Sequence, residues 1–186
     1  MQDEVDILLV TGPAGVGKST LCWEIGAVLA AAAKPHAIIE TDELDRVHPK
    51  PSAEELERLK PGTRDVSCLN LAALWSTYHA LGHRRLIMSG VMLHLSFDRR
   101  WILAAIPQAR FTVVRLVAAE VTLLARLEQR EIGAGLAAQA ERTLRQARRM
   151  AEEKRDGILF VPTDGRNPTE LAQSVVAAWL QNYSAG

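Results

Sequence analysis

Apolar residues recur along the chain in two rhythms: short runs that are apolar at nearly every position, and longer stretches where they return every three or four residues. The short runs predict strands over Val5–Thr11, Ala37–Glu40, Leu86–Ser89, Phe111–Val117 and Ile158–Val161. A strand apolar on both faces has to be covered on both, so these runs read as a parallel sheet between two layers of helices. The longer stretches predict helices over Lys18–Ala33, Ser52–Leu59, Asp65–Leu81, Phe97–Ala105, Val121–Glu131, Ala138–Lys154 and Pro168–Asn182, the last opening on a proline that a first helical turn tolerates. Strands and helices alternate without a repeat, a low-complexity linker or a shift in composition, the pattern expected of one α/β domain over residues 1–186. Two stretches interrupt it: the Pro-bearing segment Val47–Gly62, and Gly133–Gly135 between two arginine-bearing helices. Both read as excursions over one edge of the sheet.

Composition narrows the function. Apolar residues make up 48% of the 186 and charged residues 24%, enough to bury a core without disulfides or a structural metal and too much for a disordered chain. Lys+Arg and Asp+Glu both total 22, so no long-range field gathers polyanions and no nucleic-acid partner is expected. Cys22 and Cys68 fit reduced thiols of a cytoplasmic protein better than a secreted scaffold. No apolar run approaches the roughly 18–20 residues of a membrane span, and Met1–Asp6 carries three acids rather than a basic leader, so no membrane partner is expected either. The five histidines fall at no metal-ligand spacing, and no Ser or Cys has a recognisable His–acid companion, which leaves hydrolase and metalloenzyme readings unsupported.

The chemistry concentrates where the first strand meets the first helix. Gly12-Pro13-Ala14-Gly15-Val16-Gly17-Lys18-Ser19 matches G-x-x-x-x-G-K-[ST] in full and in the required strand-to-helix setting. Glycines let successive backbone N–H groups turn inward around phosphate oxygens, and the helix start adds its positive dipole end. Lys18 is expected to bridge β- and γ-phosphate oxygens, Ser19 to ligate magnesium and Thr20 to contact the α-phosphate. This loop predicts a nucleotide site.

The loop, a carboxylate after the second strand and an arginine-bearing late segment together resemble the small P-loop kinases, among them shikimate and gluconate kinases, adenylylsulfate kinase, chloramphenicol phosphotransferase and nucleoside monophosphate kinases. The resemblance implies a P-loop NTPase three-layer α/β fold: a five-stranded parallel sheet with helices on both faces, an acceptor-side excursion over about 43–82 and a small lid over about 126–142. It implies ATP and Mg2+ as cofactors and a small-molecule phosphoryl acceptor. The second strand ends Glu40-Thr41-Asp42, and alternation puts both carboxylates on one side. Asp42 then orients an acceptor hydroxyl, accepts its proton or holds magnesium through water, as the acid at this place does in the resembling kinases; capping the next helix is the alternative. Glu40 is a second candidate for the acceptor side. Arg46 would clamp an anionic part of the acceptor, although those kinases commonly place the arginine one residue nearer the acid. The third strand ends Ser89-Gly90 with no Walker B carboxylate, leaving Ser19, nucleotide oxygens, water and Asp42 for magnesium. Gly90 either lets a substrate approach the backbone or serves as a turn glycine. Asp98-Arg99-Arg100 reads as an acceptor contact or a solvated charge cluster, and the helix with Trp75, Tyr78 and His79 as an acceptor wall or core.

Arg126 and Arg130, one helical turn apart, look like lid arginines that close over the transferring phosphate, with Arg142 a further candidate; surface ion pairs with Glu128, Glu131 and Glu141 are the alternative. Thr163, Gly165 and Arg166 follow the last strand where the resembling kinases pack around adenine, or form a plain loop. The leading expectation is an ATP-dependent phosphotransferase acting on a small-molecule hydroxyl or phosphate. The alternatives are a nucleotide-dependent ligand-binding or resistance protein with little turnover, and a nucleoside monophosphate kinase. A molecular switch is a further class, against which the chain has no Asn-Lys-x-Asp guanine-reading motif. Oligomeric state is not readable from the pattern.

Overall fold

The structure is a computed structural model that describes residues 4–130, 135–153 and 156–184. Glu131, Gly133 and Lys154, which the sequence places at helix ends and in the lid, lie outside the described residues. Five strands form one sheet: β1 (Val5–Thr11), β2 (Ala37–Glu40), β3 (Arg85–Gly90), β4 (Ala109–Val117) and β5 (Ile158–Pro162), in the order β2-β3-β1-β4-β5. Every pairing is parallel. In register, Thr11 faces Gly90 on one side and Arg115 on the other, and Glu40 faces Ser89, so the carboxyl ends of the strands finish together. The chain leaves β1 toward the β2 edge and later crosses to β4 on the opposite side. That reversal opens a crevice at the carboxyl ends, where open α/β sheets bind ligands.

Seven helices complete the described chain: α1 (Lys18–Ala31), α2 (Ala53–Leu59), α3 (Val66–Ala80), α4 (Leu95–Ala105), α5 (Glu120–Arg130), α6 (Leu136–Glu152) and α7 (Pro168–Ser184). Strand alternation sends the side chains of β1 two ways. Leu8 and Val10 pack with Leu21, Ile25 and Leu29 of α1 and Val175 and Trp179 of α7, whereas Ile7 and Leu9 pack with Leu71 and Trp75 of α3 and Leu95 and Ile102 of α4. Trp75 is therefore core, and none of Trp75, Tyr78 and His79 walls the cavity described below.

Three departures from the sequence pattern have physical causes. Helix α4 starts two residues early, capped at His94, so Asp98 lies in its first turn and accepts from Trp101 Nε1 at 3.4 Å, while Arg99 and Arg100 stack over the rings of Phe111 and Phe97. None of the three lines the cavity described below; Asp98 and Arg99 are half-buried and Arg100 is exposed. In β4, Arg115 points inward and is fully buried; its Nη1 donates to the Met150 carbonyl at 3.1 Å and pairs with Glu153 at 2.6 Å. Glu153 in turn accepts the Leu95 N–H at 3.3 Å, so one buried guanidinium ties the end of α6 to the sheet and, through Glu153, to α4. At the far end of β1, Asp6 is buried and accepts from Trp179 Nε1 at 2.7 Å.

Candidate active site

Gly12 has φ +152°, and a Cβ there would come within 2.8 Å of the Leu116 carbonyl; Gly17 caps α1 with φ +104°, a left-handed backbone that side chains disfavour. These two conformations curl the loop between β1 and α1. Lys18 Nζ donates to the carbonyls of Gly12 and Pro13, both at 3.0 Å. Gly12 and Pro13 thus hold the lysine and do not line the cavity, while Ala14, Gly15, Val16, Gly17, Lys18, Ser19 and Thr20 form its floor. The Ala14 N–H donates to Gln146 Oε1 of α6 at 3.1 Å.

The cavity measures about 480 Å³ and draws in residues from both halves of the sheet. Glu40, Asp42 and Arg46 line it from the β2 side, Ser89 and Gly90 from the end of β3, and Arg126, Arg130, Thr163 and Arg166 from the side of α5 and β5. Gly165 is not among its walls. Burial of Lys18 against the loop lowers its pKa to about 8, against the opposing pull of Asp42, Cys22 and Glu40; Arg130 adds to the lowering. Burial, then Glu40, push the neighbouring Cys22 thiol up to about 12, so it stays protonated.

Asp42 arrives in the cavity differently from its expected route. The strand stops at Glu40 and the chain winds through a 3₁₀ turn, Thr41–Glu43, closed by the Leu44 N–H on the Thr41 carbonyl at 3.1 Å. Alternation therefore does not extend to Asp42, yet the tight turn delivers both carboxylates to the same cavity. The capping alternative falls away, because Asp42 makes no cap bond and the next helix, α2, is capped by Ser52 in a reciprocal capping box with Glu55. Gly90 lies close against the Thr41 side chain: a Cβ there would clash with Thr41 Oγ1. Its missing side chain makes room for the turn that carries Asp42, which neither sequence reading of this glycine foresaw. Arg46 pairs with Glu43 at 2.9 Å, both side chains largely exposed.

On the opposite wall Arg126 is spoken for by protein acceptors. Its Nη1 donates to the Val16 carbonyl and to Thr163 Oγ1, both at 3.0 Å, and Nη2 to the Thr163 carbonyl at 3.1 Å. Asp164, its carboxyl held below the ordinary range chiefly by a hydrogen bond from Thr122, also accepts the Ala119 N–H at 3.1 Å. Helix α5 thus fixes the loop after β5 at two points. Thr163 is turned inward by these bonds, and Arg130 stands at the last position of α5.

No family model matches the sequence, and no curated protein matches it closely enough to stand as a relative. Solved structures do match in shape. The Deinococcus radiodurans tunicamycin resistance protein superposes with a TM-score of 0.59 over 94% of this chain and 95% of its own, at 18% identity. A gluconokinase from Sinorhizobium meliloti 1021 gives 0.56 over 97% and 93%, at 20% identity, and the Mycobacterium tuberculosis APS kinase in complex with AMPPNP and APS gives 0.53 over 96% and 98%, at 18% identity. The chain has the P-loop kinase fold.

Within this fold the cavity also contains residues that sequence reasoning missed: Ser89, Val91, Leu116 and Leu171 line it; Gln146 does not line it but accepts from the Ala14 N–H. Ser89 carried a signal, a polar side chain at the carboxyl end of a buried parallel strand. The apolar walls carried none, since a cavity wall and a core position share one pattern. For the magnesium ion that the fold implies, no group of three or more His, Cys, Asp or Glu side chains among the described residues could hold a metal. Mg2+ needs no such cage, because it keeps several waters and takes phosphate oxygens. The Ser19 hydroxyl and the Asp42 carboxylate, hard oxygens in one cavity, fit that requirement. Among the described residues no helix is long and apolar enough to cross a membrane.

Proposed function

We propose that the protein is an ATP-dependent phosphotransferase that moves the γ-phosphoryl group to a hydroxyl of a small molecule. The observation that carries this reading is the convergence of Lys18, Ser19, Glu40, Asp42 and Arg130 on one cavity at the switch point of the sheet. ATP lies with its phosphates on the floor from Ala14 to Thr20 and its base toward Arg166 and the loop that Arg126 braces. The acceptor enters from the β2 side, where Glu40 orients it and Arg46 sits at the mouth. Asp42 takes the hydroxyl proton as the acceptor oxygen bonds to the γ-phosphorus, the bond from that phosphorus to the β–γ bridging oxygen breaks, and ADP leaves. Lys18 and Arg130 stabilise the charge on the transferring group, which is worth most in a site that excludes water. Magnesium, held through Ser19 and Asp42, would neutralise phosphate charge.

The kinase names among the structural neighbours support this class, and the tunicamycin resistance protein keeps open an acceptor that is a drug rather than a metabolite. The test is ATP consumption with magnesium over a library of sugar acids, other small hydroxyl compounds, antibiotics and mononucleotides. At least one acceptor should stimulate turnover above background hydrolysis, Asp42→Asn should lower the stimulated rate by 10²-fold or more, as expected when a general base is lost, and Lys18→Ala should weaken ATP binding. A stimulated rate that survives Asp42→Asn would remove Asp42 from the chemistry.

A further inference from the structure

One N–H of the loop expected to cradle phosphate is bonded by a side chain from another part of the fold. The Ala14 N–H points to Gln146 Oε1 at 3.1 Å, a contact spanning 132 residues of sequence. The polarity of this bond is fixed by chemistry: a backbone N–H needs an acceptor, so the amide oxygen and not its nitrogen faces the loop. Gln146 does not reach the loop by chance of a mobile surface. It lies on α6 between Thr143 and Met150, at helical spacings of three and four, and both of these are buried, so this stripe is the packed face of the helix. One turn beyond, the Met150 carbonyl and Glu153 are anchored by the buried Arg115. The helix that carries Gln146 is therefore held at its carboxyl end, and the glutamine is presented to Ala14 from a supported backbone.

From this we infer that Gln146 is a built-in competitor for the phosphate cradle, a positioning residue that makes arrival of a phosphate at the loop felt by α6. The inference rests on the phosphate-binding reading of the loop. An N–H carries one hydrogen and directs it at one acceptor well; Gln146 and a phosphate oxygen cannot both have it on good geometry. A charged phosphate oxygen makes roughly twice as strong a bond as a neutral amide oxygen and displaces it. The displacement subtracts the glutamine bond from the affinity of every phosphate that uses Ala14, and it frees the middle of α6 from the floor of the cavity. The ligand class is any di- or triphosphate, read by its oxygens alone and without regard to the base.

Calorimetric titration with ATP and with pyrophosphate, both with magnesium, tests this on the full chain. Gln146→Ala removes the competitor and should tighten both ligands by about fivefold, the factor that a net hydrogen bond of about 1 kcal/mol is worth. Gln146→Asn, one methylene too short to reach, should tighten them equally, showing that reach and not polarity matters. Gln146→Glu puts a charged acceptor on the same N–H and repels the phosphate, so it should weaken both by tenfold or more. A merely structural glutamine would weaken binding in every variant or leave it unchanged, and either result overturns the inference. Circular dichroism melting of each variant separates lost fold from lost affinity, and if the charged variant unfolds, the sign of the Ala and Asn effects decides. A wild type that binds neither ligand overturns the phosphate reading along with this one; a wild type that binds both, with Ala and Asn unchanged, overturns this one alone.

Discussion

Lys18 is under two opposing influences. Burial against the loop lowers its pKa to about 8, while Asp42 and Glu40, the same acids proposed to handle the acceptor, pull it up. Only the ammonium attracts phosphate. Below about pH 8 the free protein carries the charge and binding is at full strength; above it the free lysine loses its proton while phosphate keeps it on in the complex, so affinity drops by up to tenfold per pH unit until the complex also titrates. The ATP dissociation constant measured between pH 7.5 and 10 should therefore bend upward near 8. Lys18→Arg, charged throughout this range, should show no bend there. A flat wild-type profile would mean that the loop amides carry binding without the lysine. At this scale the sequence was legible where neighbouring residues act together, as in the loop from Ala14 to Thr20 that lines the cavity. It was silent on Gly90, whose constraint is the Thr41 side chain forty-nine positions away, and on Gln146, which in sequence is one polar residue on an arginine-rich helix.

Among the elements, α6 is the one whose attachment sequence reasoning could not see. Its arginines read as part of a lid, with surface pairs the alternative, and two of them form such pairs: Arg145 meets Glu141 at 3.3 Å and Arg148 meets Glu120 at 3.1 Å, exposed bridges of little energetic weight. The attachment that counts comes from Arg115, buried in a strand whose pattern reads as apolar and whose partners are 35 and 38 positions on. Arg115→Met keeps the side-chain bulk and removes the donors. Amide hydrogen exchange over Arg148–Glu152 should then quicken by one to two orders of magnitude, as expected from losing about 1–3 kcal/mol of local hydrogen bonding, while β1 keeps its protection. Equal acceleration in both would show that Arg115 supports the whole fold rather than one helix. The strands and the existence of all seven helices were readable because periodicity reflects burial, which is local to each element. The 3₁₀ turn at Asp42 was not, because three residues are too few to carry a period.

For the molecule as a whole, the end of the sheet remote from the cavity sets a stability term with an unusual sign. Burial raises the pKa of Asp6 above the ordinary 3.8, outweighing the hydrogen bond from Trp179 and the charge of Arg85 at 4.0 Å. The folded protein therefore holds this proton to higher pH than the unfolded chain does, and stability falls as pH rises from the unfolded value through the folded one. Asp6→Asn keeps an oxygen for Trp179 and removes the charge. Its melting temperature should exceed that of wild type at pH 7, with the gain shrinking toward zero below pH 4; a variant that melts lower at pH 7 would show that the carboxylate is a net asset.

Among the described residues strand β2 has one neighbour, β3, and pairs with it over four residues before the chain departs toward Asp42. The two halves of the proposed site thus differ in how deeply they are rooted: the phosphate loop grows from the central strand, bonded on both sides, and the acceptor wall from the outermost one. Mutational drift at such a margin disturbs few inherited contacts. On the proposed function, substitutions at the exposed positions between Glu40 and Asp65 should change which acceptor is taken at little cost to the core, whereas the buried Leu44 and Leu56 tie the same segment to it.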